Sequence, residues 1–226
     1  MFGPLMRFTT KTGLVIEMGP LSREVMPEFV TGGGMQSETV SRYLGRQNAP
    51  VLEDEYEYFD KVRADKSCVS WGVYVIEGES RTLVGTTALH GLTDGMYDPY
   101  KSGSSGFMIF RPEYWGKGIA GACHHARTMY AFDSLGLVVI RSAVIRENVA
   151  SQRAIESVGY YVNHYDRMEG LRGGEPRVSA KFHCVNPDKH VWNYWWRGEE
   201  IPDVARAARK RAIRALEWAR ENVAFP

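Results

Sequence analysis

The sequence predicts a mixed α/β fold, and three observations carry that reading. Strand-like runs with alternating apolar residues recur, the clearest being Ser70 to Ile76 with Trp71, Val73 and Val75. Segments with apolar residues at helical spacing separate several of them, as Tyr56, Phe59 and Val62 do within Glu53 to Lys66. Glycines stand where one element should give way to the next, at Gly32-Gly33-Gly34, Gly136 and Gly159.

In chain order, Leu14 to Met18 reads as a first strand. Ser22 caps a short helix toward Val30, with Glu24 in its first turn, where the helix dipole favours negative charge. A second helix is expected over Ser37 to Leu44 and a third over Glu53 to Lys66. Ser70 to Ile76 and Thr82 to Leu89 form a hairpin about Glu77-Gly78-Glu79-Ser80. A Gly/Ser/Asp-rich loop, Gly91 to Ser105, leads into a short apolar strand, Gly106 to Phe110. The next helix runs from Gly118 to Leu135, with Ile119, Ala122, Cys123, Ala126, Met129 and Tyr130 on one stripe. A buried strand follows from Leu137 to Val144. Asn148 caps another helix with apolar Ala150, Ala154, Ile155 and Val158, and Gly159 ends it. Strands at Tyr160 to Met168 and Val178 to Val185 flank a turn at Arg172-Gly173-Gly174. The tail then changes character: Trp192, Tyr194, Trp195 and Trp196 cluster ahead of a helix over Pro202 to Val223. Residues 13–185 therefore read as one domain, and 186–226 as a Trp-rich segment with an amphipathic helical extension.

A chain of 226 residues with 44% hydrophobic residues can bury a sizeable core. Its formal net charge of +1 implies by itself neither a nucleic-acid binder nor an acidic-surface protein. Three widely spaced cysteines, Cys68, Cys123 and Cys184, argue against a disulfide framework or a zinc knuckle. No apolar run is long enough to span a bilayer, and Met1 to Thr12 lacks the apolar stretch of a signal peptide. The expected setting is soluble and cytoplasmic, with no membrane partner.

Trp115-Gly116-Lys117-Gly118-Ile119-Ala120 joins a strand to a helix. Such a turn presents successive backbone N–H groups at the positive end of a helix dipole, which holds a phosphate without a charged side chain. It is not a Walker loop, because no Gly-Lys-Ser/Thr is present, and no acidic ribose-binding residue supports a dinucleotide fingerprint. A second signal follows in order: Asn148-x-x-Ser151 opens a helix that ends in Gly159-Tyr160. On these residues the sequence resembles the GNAT superfamily, the general-control-type N-acetyltransferases. That signature is Gln/Arg-x-x-Gly-x-Gly/Ala, then a strand, then an Asn at the next helix, which ends in Gly-Phe or Gly-Tyr. Here Trp115 replaces the Gln/Arg. The wording Pro112-Glu113-Tyr114-Trp115-Gly116-Lys117-Gly118, with Ser70-Trp71-Gly72-Val73 and Tyr43-Leu44 upstream, is similar to the RimJ/RimL-like branch acting on ribosomal-protein N-termini. The resemblance spans residues 13–185.

The resemblance implies a GNAT-like, mostly antiparallel sheet with helices on both faces, acetyl-CoA as co-substrate, and an amine acceptor. Acetyl-CoA would lie between the Gly106 to Phe110 and Leu137 to Val144 strands. Met108, Ile109 and Phe110 would offer backbone groups to the pantetheine arm. Trp115, Gly116, Lys117, Gly118, Ile119, Ala120 and Gly121 would surround the pyrophosphate, Asn148 would reach the pantetheine, and Ser151 would lie near the sulfur. The amine must lose a proton before it attacks, and the oxyanion needs a donor, such as an N–H of the Gly106 to Phe110 strand. Where many members carry an acidic tyrosine this chain has Ile155, which leaves Ser151 or solvent to protonate the thiolate. Where members carry a glutamate base it has Ser104-Ser105-Gly106. His90 and Glu169 are then the candidate bases, with Asp94 and Asp166 behind them and a water chain as the alternative. Imidazole suits the task because it titrates near neutrality.

Plainer readings stand beside these. Asn148 is a good helix cap whatever the function. His124 and His125 are adjacent on a helix and point apart, so no metal site is expected. The last helix carries Val204, Ala208, Ala212, Leu216, Ala219 and Val223 on one stripe and Arg206, Arg209, Lys210, Arg211 and Arg214 elsewhere. That pattern favours packing on the domain or on a second subunit, which leaves a homodimer open, over contact with nucleic acid. A GNAT-fold enzyme acting on a nucleic-acid base and a non-catalytic CoA-binding module remain as alternatives.

Overall fold

The computed structural model describes residues 1–31, 34–44, 49–93, 100–167, 170–172 and 175–226. The chain divides into two compact units. The first comprises Met1–His90, Gly106–Cys123 and Val223–Pro226; the second comprises Gly91–Ser105 and His124–Asn222.

In the first unit, β1 (Met6–Thr9), β2 (Val15–Gly19), β3 (Val69–Glu77) and β4 (Ser80–His90) pair in sequence, each antiparallel to the last. Trp71, Val73 and Val75 are buried as their alternation predicts, but so are Ser70, Gly72 and Tyr74 between them. β3 is thus covered on both faces. The end of β5 (Ser102–Ile109) lies against β4. Phe110 N–H donates to the Val84 carbonyl at 3.0 Å, and Thr87 Oγ1 donates to the Gly106 carbonyl at 3.0 Å. These partners run in opposite senses, so the pairing is antiparallel. Gly85 is required there, since a Cβ would stand 2.1 Å from the Met108 carbonyl oxygen. The core joins Leu21, Met26, Phe29, Tyr74, Leu83 and Phe110, with Leu52, Tyr56 and Phe59 of α2 (Leu52–Ala64) packed on it.

Three elements here differ from expectation. β1 was not read from the sequence, although Met6 and Phe8 are buried between exposed Arg7 and Thr9. The helix after Ser22 is a 3-10 turn, Arg23–Phe29, and Ser22 makes no side-chain cap. Pro27 inside it has no N–H to give to an α ladder. The expected Ser37 to Leu44 helix shrinks to α1 (Glu38–Ser41). The glycines at 32 and 33 lie outside the described residues.

In the second unit, Ser102 to Ser104 of β5 pair parallel with Val139 to Arg141 of β6 (Val139–Ile145). β6 pairs antiparallel with β10 (Ser179–Val185), and β10 with β7 (Tyr161–Asp166). β5 therefore begins four residues before the expected Gly106: the Ser/Gly run carries no apolar signal and becomes a strand through its pairing. A short hairpin, β8 (Leu171–Arg172) with β9 (Glu175–Pro176), brackets the expected Gly173-Gly174 turn, whose glycines lie outside the described residues. α3 (Ile119–Met129) continues as a π-turn, Tyr130–Ser134, in which Leu135 N–H reaches the Tyr130 carbonyl at 3.1 Å. Left-handed Gly136 then ends the helix.

The Trp cluster forms a further helix, α5 (Lys189–Trp196), which the sequence reading did not separate. Asp188 Oδ1 caps it, accepting from the N–H groups of His190 and Val191 at 2.9 and 3.2 Å. Trp192 packs with Val139, Tyr161 and Val185 and with Ala205 and Ala208 of α6 (Asp203–Asn222). The buried face of α6 is Ala205, Ala208, Ala212, Ala215, Leu216 and Ala219, while Val204, expected on that face, is 49% exposed. Small residues are needed because α6 lies close to the end of α4 (Val149–Ser157). A Cβ on Gly159 would stand 2.5 Å from the Ala212 Cβ. Among the described residues, no helix is long and apolar enough to cross a membrane.

Two outcomes are expected. Gly159 combines φ +101° with that close approach, so Gly159→Ala should destabilise by about 2–4 kcal/mol in urea unfolding. His183 packs edge-on against Tyr161 and Trp195. Burial first, then Arg141 and His164, push its pKa down to about 4 from 6.5. The unfolded chain thus binds the extra proton first: this contribution is intact above pH ~6.5 and fades as pH falls toward ~4. His183→Gln should flatten the stability–pH curve within that window; an unchanged slope would refute the assignment.

Candidate active site

The glycine turn is built from β5 onward. Pro112–Tyr114 form a single 3-10 turn, and Trp115 N–H closes it on the Pro112 carbonyl at 3.0 Å. Arg111 anchors the approach, donating to the Leu83 carbonyl at 2.8 Å and to Glu28 at 3.0 Å. Gly116 and Gly118 are both left-handed, φ 73° and 78°, with Lys117 between them outside that region. Alternation of that kind points successive N–H groups into one concavity. The N–H groups of the first turn of α3 follow, which no intrahelical carbonyl can reach. A Cβ built on Gly116, Gly118 or Gly121 meets nothing within 4 Å, so open space lies over all three glycines. The turn therefore fits a diphosphate lying against backbone.

Trp115 is 40% exposed, and its Nε1–H donates to the Ile109 carbonyl at 3.0 Å. Lys117 leaves its ammonium 5.0 Å over the Tyr114 ring. Because Phe110 N–H faces β4, strand alternation turns the backbone of Ile109 the other way. Phe110 is buried, while Met108 and Ile109 are half-buried, as are Ala120 and Gly121. Ile119 anchors the helix start in the core. His90 is the exposed last residue of β4. Its ring faces β5: a Cβ on Gly106 would stand 3.7 Å from His90 Cε1.

Asn148 and Ser151 belong to the second unit. Asn148 Oδ1 accepts from Ser151 N–H at 3.2 Å, making it a true N-cap of α4. Ser151 is half-buried in the first turn of the same helix. Ile155 is 2% exposed, so an aliphatic core residue stands where an acidic tyrosine was sought. Asp166 ends β7. Glu169 and Asp94 lie outside the described residues.

The sequence reading missed a buried polar group beneath β5. Tyr160, fully buried, donates from Oη to Ser105 Oγ at 3.2 Å. Burial raises its pKa, and Arg127, equally buried, opposes that rise. Arg127 donates to His124 Nδ1 at 2.9 Å, and burial holds His124 far below its ordinary pKa, so its ring is neutral. An arginine between the buried Ala126 and Met129 of a helix stripe was the available signal. His125 instead stacks edge-on with Trp218, and no cluster of metal-ligating residues occurs among the described residues.

A family model for the acetyltransferase (GNAT) domain matches residues 18–161. The chain belongs to the GNAT acetyltransferase family. Acetyl-CoA is the co-substrate of that family and so of this enzyme. An uncharacterised N-acetyltransferase, YoaA of Bacillus subtilis (strain 168), is 25% identical over 67% of this chain and 83% of its own. In fold, the chain is similar to Mycobacterium smegmatis RimJ in complex with CoA-disulfide, with TM-score 0.70 and 15% identity over 94% of each chain. It is likewise similar to Vibrio cholerae spermidine N-acetyltransferase in complex with CoA and spermine, with TM-score 0.66 and 18% identity. That match covers 75% of this chain and 95% of the other.

Removing the cap acceptor in Asn148→Ala should lower stability by about 1 kcal/mol, with Asn148→Asp close to the parent. Urea midpoints of the three proteins check this.

Proposed function

We propose that this enzyme transfers the acetyl group of acetyl-CoA by direct attack of a primary amine, on a protein N-terminus or a small amine, in the cytoplasm. The glycine turn carries the reading: left-handed Gly116 and Gly118, open space above them, and the start of α3 supply what a CoA diphosphate needs. The Pro112 to Gly118 wording favours a protein N-terminus, and the spermidine enzyme among the fold neighbours makes a polyamine the second acceptor to test. Three buried free thiols fit a reducing compartment.

In this reading Asn148 and Ser151 serve the pantetheine end, and Ser151 or solvent protonates the departing thiolate. His90 accepts the amine proton, because it is exposed at the strand end facing Gly106. Intramolecular bonds of several α6 arginines weigh against the nucleic-acid alternative. Arg209 donates to the Pro187 carbonyl, Arg211 to those of Glu156 and Tyr160, Arg206 to Asp203, and Arg220 to Asp133. Lys210 and Arg214 of the same helix are exposed.

Acetyl-CoA at about 100 times its Kd should stabilise the enzyme by about 2.7 kcal/mol, seen as a raised Tm. Thiol release should appear with an N-terminal peptide or spermidine. A flat Tm with acetyl-CoA would refute the reading, as would full activity in Gly118→Val, which forces a branched residue to φ +78°. His90→Gln should lower kcat by about 100-fold with the acetyl-CoA KM unchanged.

A further inference from the structure

The tip of the β1–β2 hairpin touches the glycine turn. Thr12 Oγ1 donates to the Lys117 carbonyl at 2.8 Å, across 105 positions of sequence. That carbonyl lies between the two left-handed glycines. A carbonyl only accepts, so the one Thr12 hydroxyl proton is used on it. Thr10 Oγ1 stands 2.9 Å from Thr12 Oγ1, and must therefore be the donor of that pair. Thr10 Oγ1 in turn accepts from Leu14 N–H at 3.1 Å. The protons thus run one way, from Leu14 N–H through Thr10 and Thr12 to the Lys117 carbonyl, and each hydroxyl polarises the next. Thr10 is 5% exposed, which keeps water from competing at the middle of the chain. The Thr10 to Gly13 turn is closed by Gly13 N–H on the Thr10 carbonyl at 3.0 Å, so the tip is held as a unit.

We propose that Thr12, oriented by Thr10, is a positioning residue for donor recognition. It holds the Lys117 carbonyl toward the hairpin, so the concavity over Gly116 and Gly118 presents N–H groups and no lone pair to the diphosphate. The need follows from the glycines themselves. A residue flanked by two glycines can rotate its peptide planes at little cost, so the freedom that forms the concavity also lets it collapse. A carbonyl swung toward an anion would repel it. Trp115 acts likewise at the entrance, where its indole N–H occupies the Ile109 carbonyl. The proposal rests on the CoA reading given above.

The test is calorimetric titration of the full chain and of Thr12→Val and Thr12→Ser with CoA, and with acetyl-pantetheine, which lacks the diphosphate. Thr12→Val should raise the Kd for CoA by about threefold to tenfold. It should leave the Kd for acetyl-pantetheine and kcat at saturating acetyl-CoA unchanged, and Thr12→Ser should restore the parent affinity. Thr12 is exposed, so the variants keep the fold, which an unchanged Tm verifies. Equal CoA affinity in Thr12→Val and parent overturns the proposal alone. An equal loss for both donors also overturns it, since the effect would not be at the diphosphate. If the parent itself bound no CoA, the functional reading would fall with it.

Discussion

The first unit is organised around the turn through which its last strand enters α3. An α-helix begins with N–H groups that its own carbonyls cannot reach. Most helices cover them with a side-chain cap, as Asn148 and Asp188 do here. At the start of α3 the chain enters through two left-handed glycines and keeps space open above them. The neighbouring carbonyls are then drawn elsewhere, the Ile109 oxygen by Trp115 and the Lys117 oxygen by Thr12. Arg111, tied to β4 and to Glu28, fixes where the turn begins. The parallel pairing of β5 with β6 lasts only from Ser102 to Ser104, after which β5 continues against β4.

How much of this the sequence revealed depends on what encodes each part. The anion turn was legible because it works through backbone, and only glycine permits that conformation at Gly116 and Gly118. Asn148 and Gly159 were legible for the same local reason: a cap and a stop are written next to the helix they bound. β1 and the start of β5 were not, since Ser102 to Ser105 have no apolar pattern and become strand only by pairing with β6. Thr12 was invisible because a hydroxyl in a hairpin turn carries no sign that its acceptor lies 105 positions away. The bond from Tyr160 to Ser105 was hidden likewise. The base is the least legible element, because it depends on which side chain tertiary structure brings to the acceptor.

The tail shows charge turned inward. Arg209 lies 5.0 Å over the Trp192 ring while donating to the Pro187 carbonyl, so one guanidinium serves an aromatic face and a backbone oxygen together. Arg220 makes a paired bond to Asp133 in the π-turn that follows α3. Three arginines of a helix that reads as a basic surface in sequence, Arg209, Arg211 and Arg220, are therefore clamps on their own unit.

One such clamp has mechanical meaning. Arg211 of α6 bonds the Glu156 and Tyr160 carbonyls at the far end of α4, beside the contact of Gly159 with Ala212. α4 is only nine residues, about 13 Å at 1.5 Å per residue, too short to bend. It is gripped at one end by α6 and carries Asn148 and Ser151 at the other. The C-terminal helix thus braces, within its own unit, the end of the short helix opposite to its Asn148 cap.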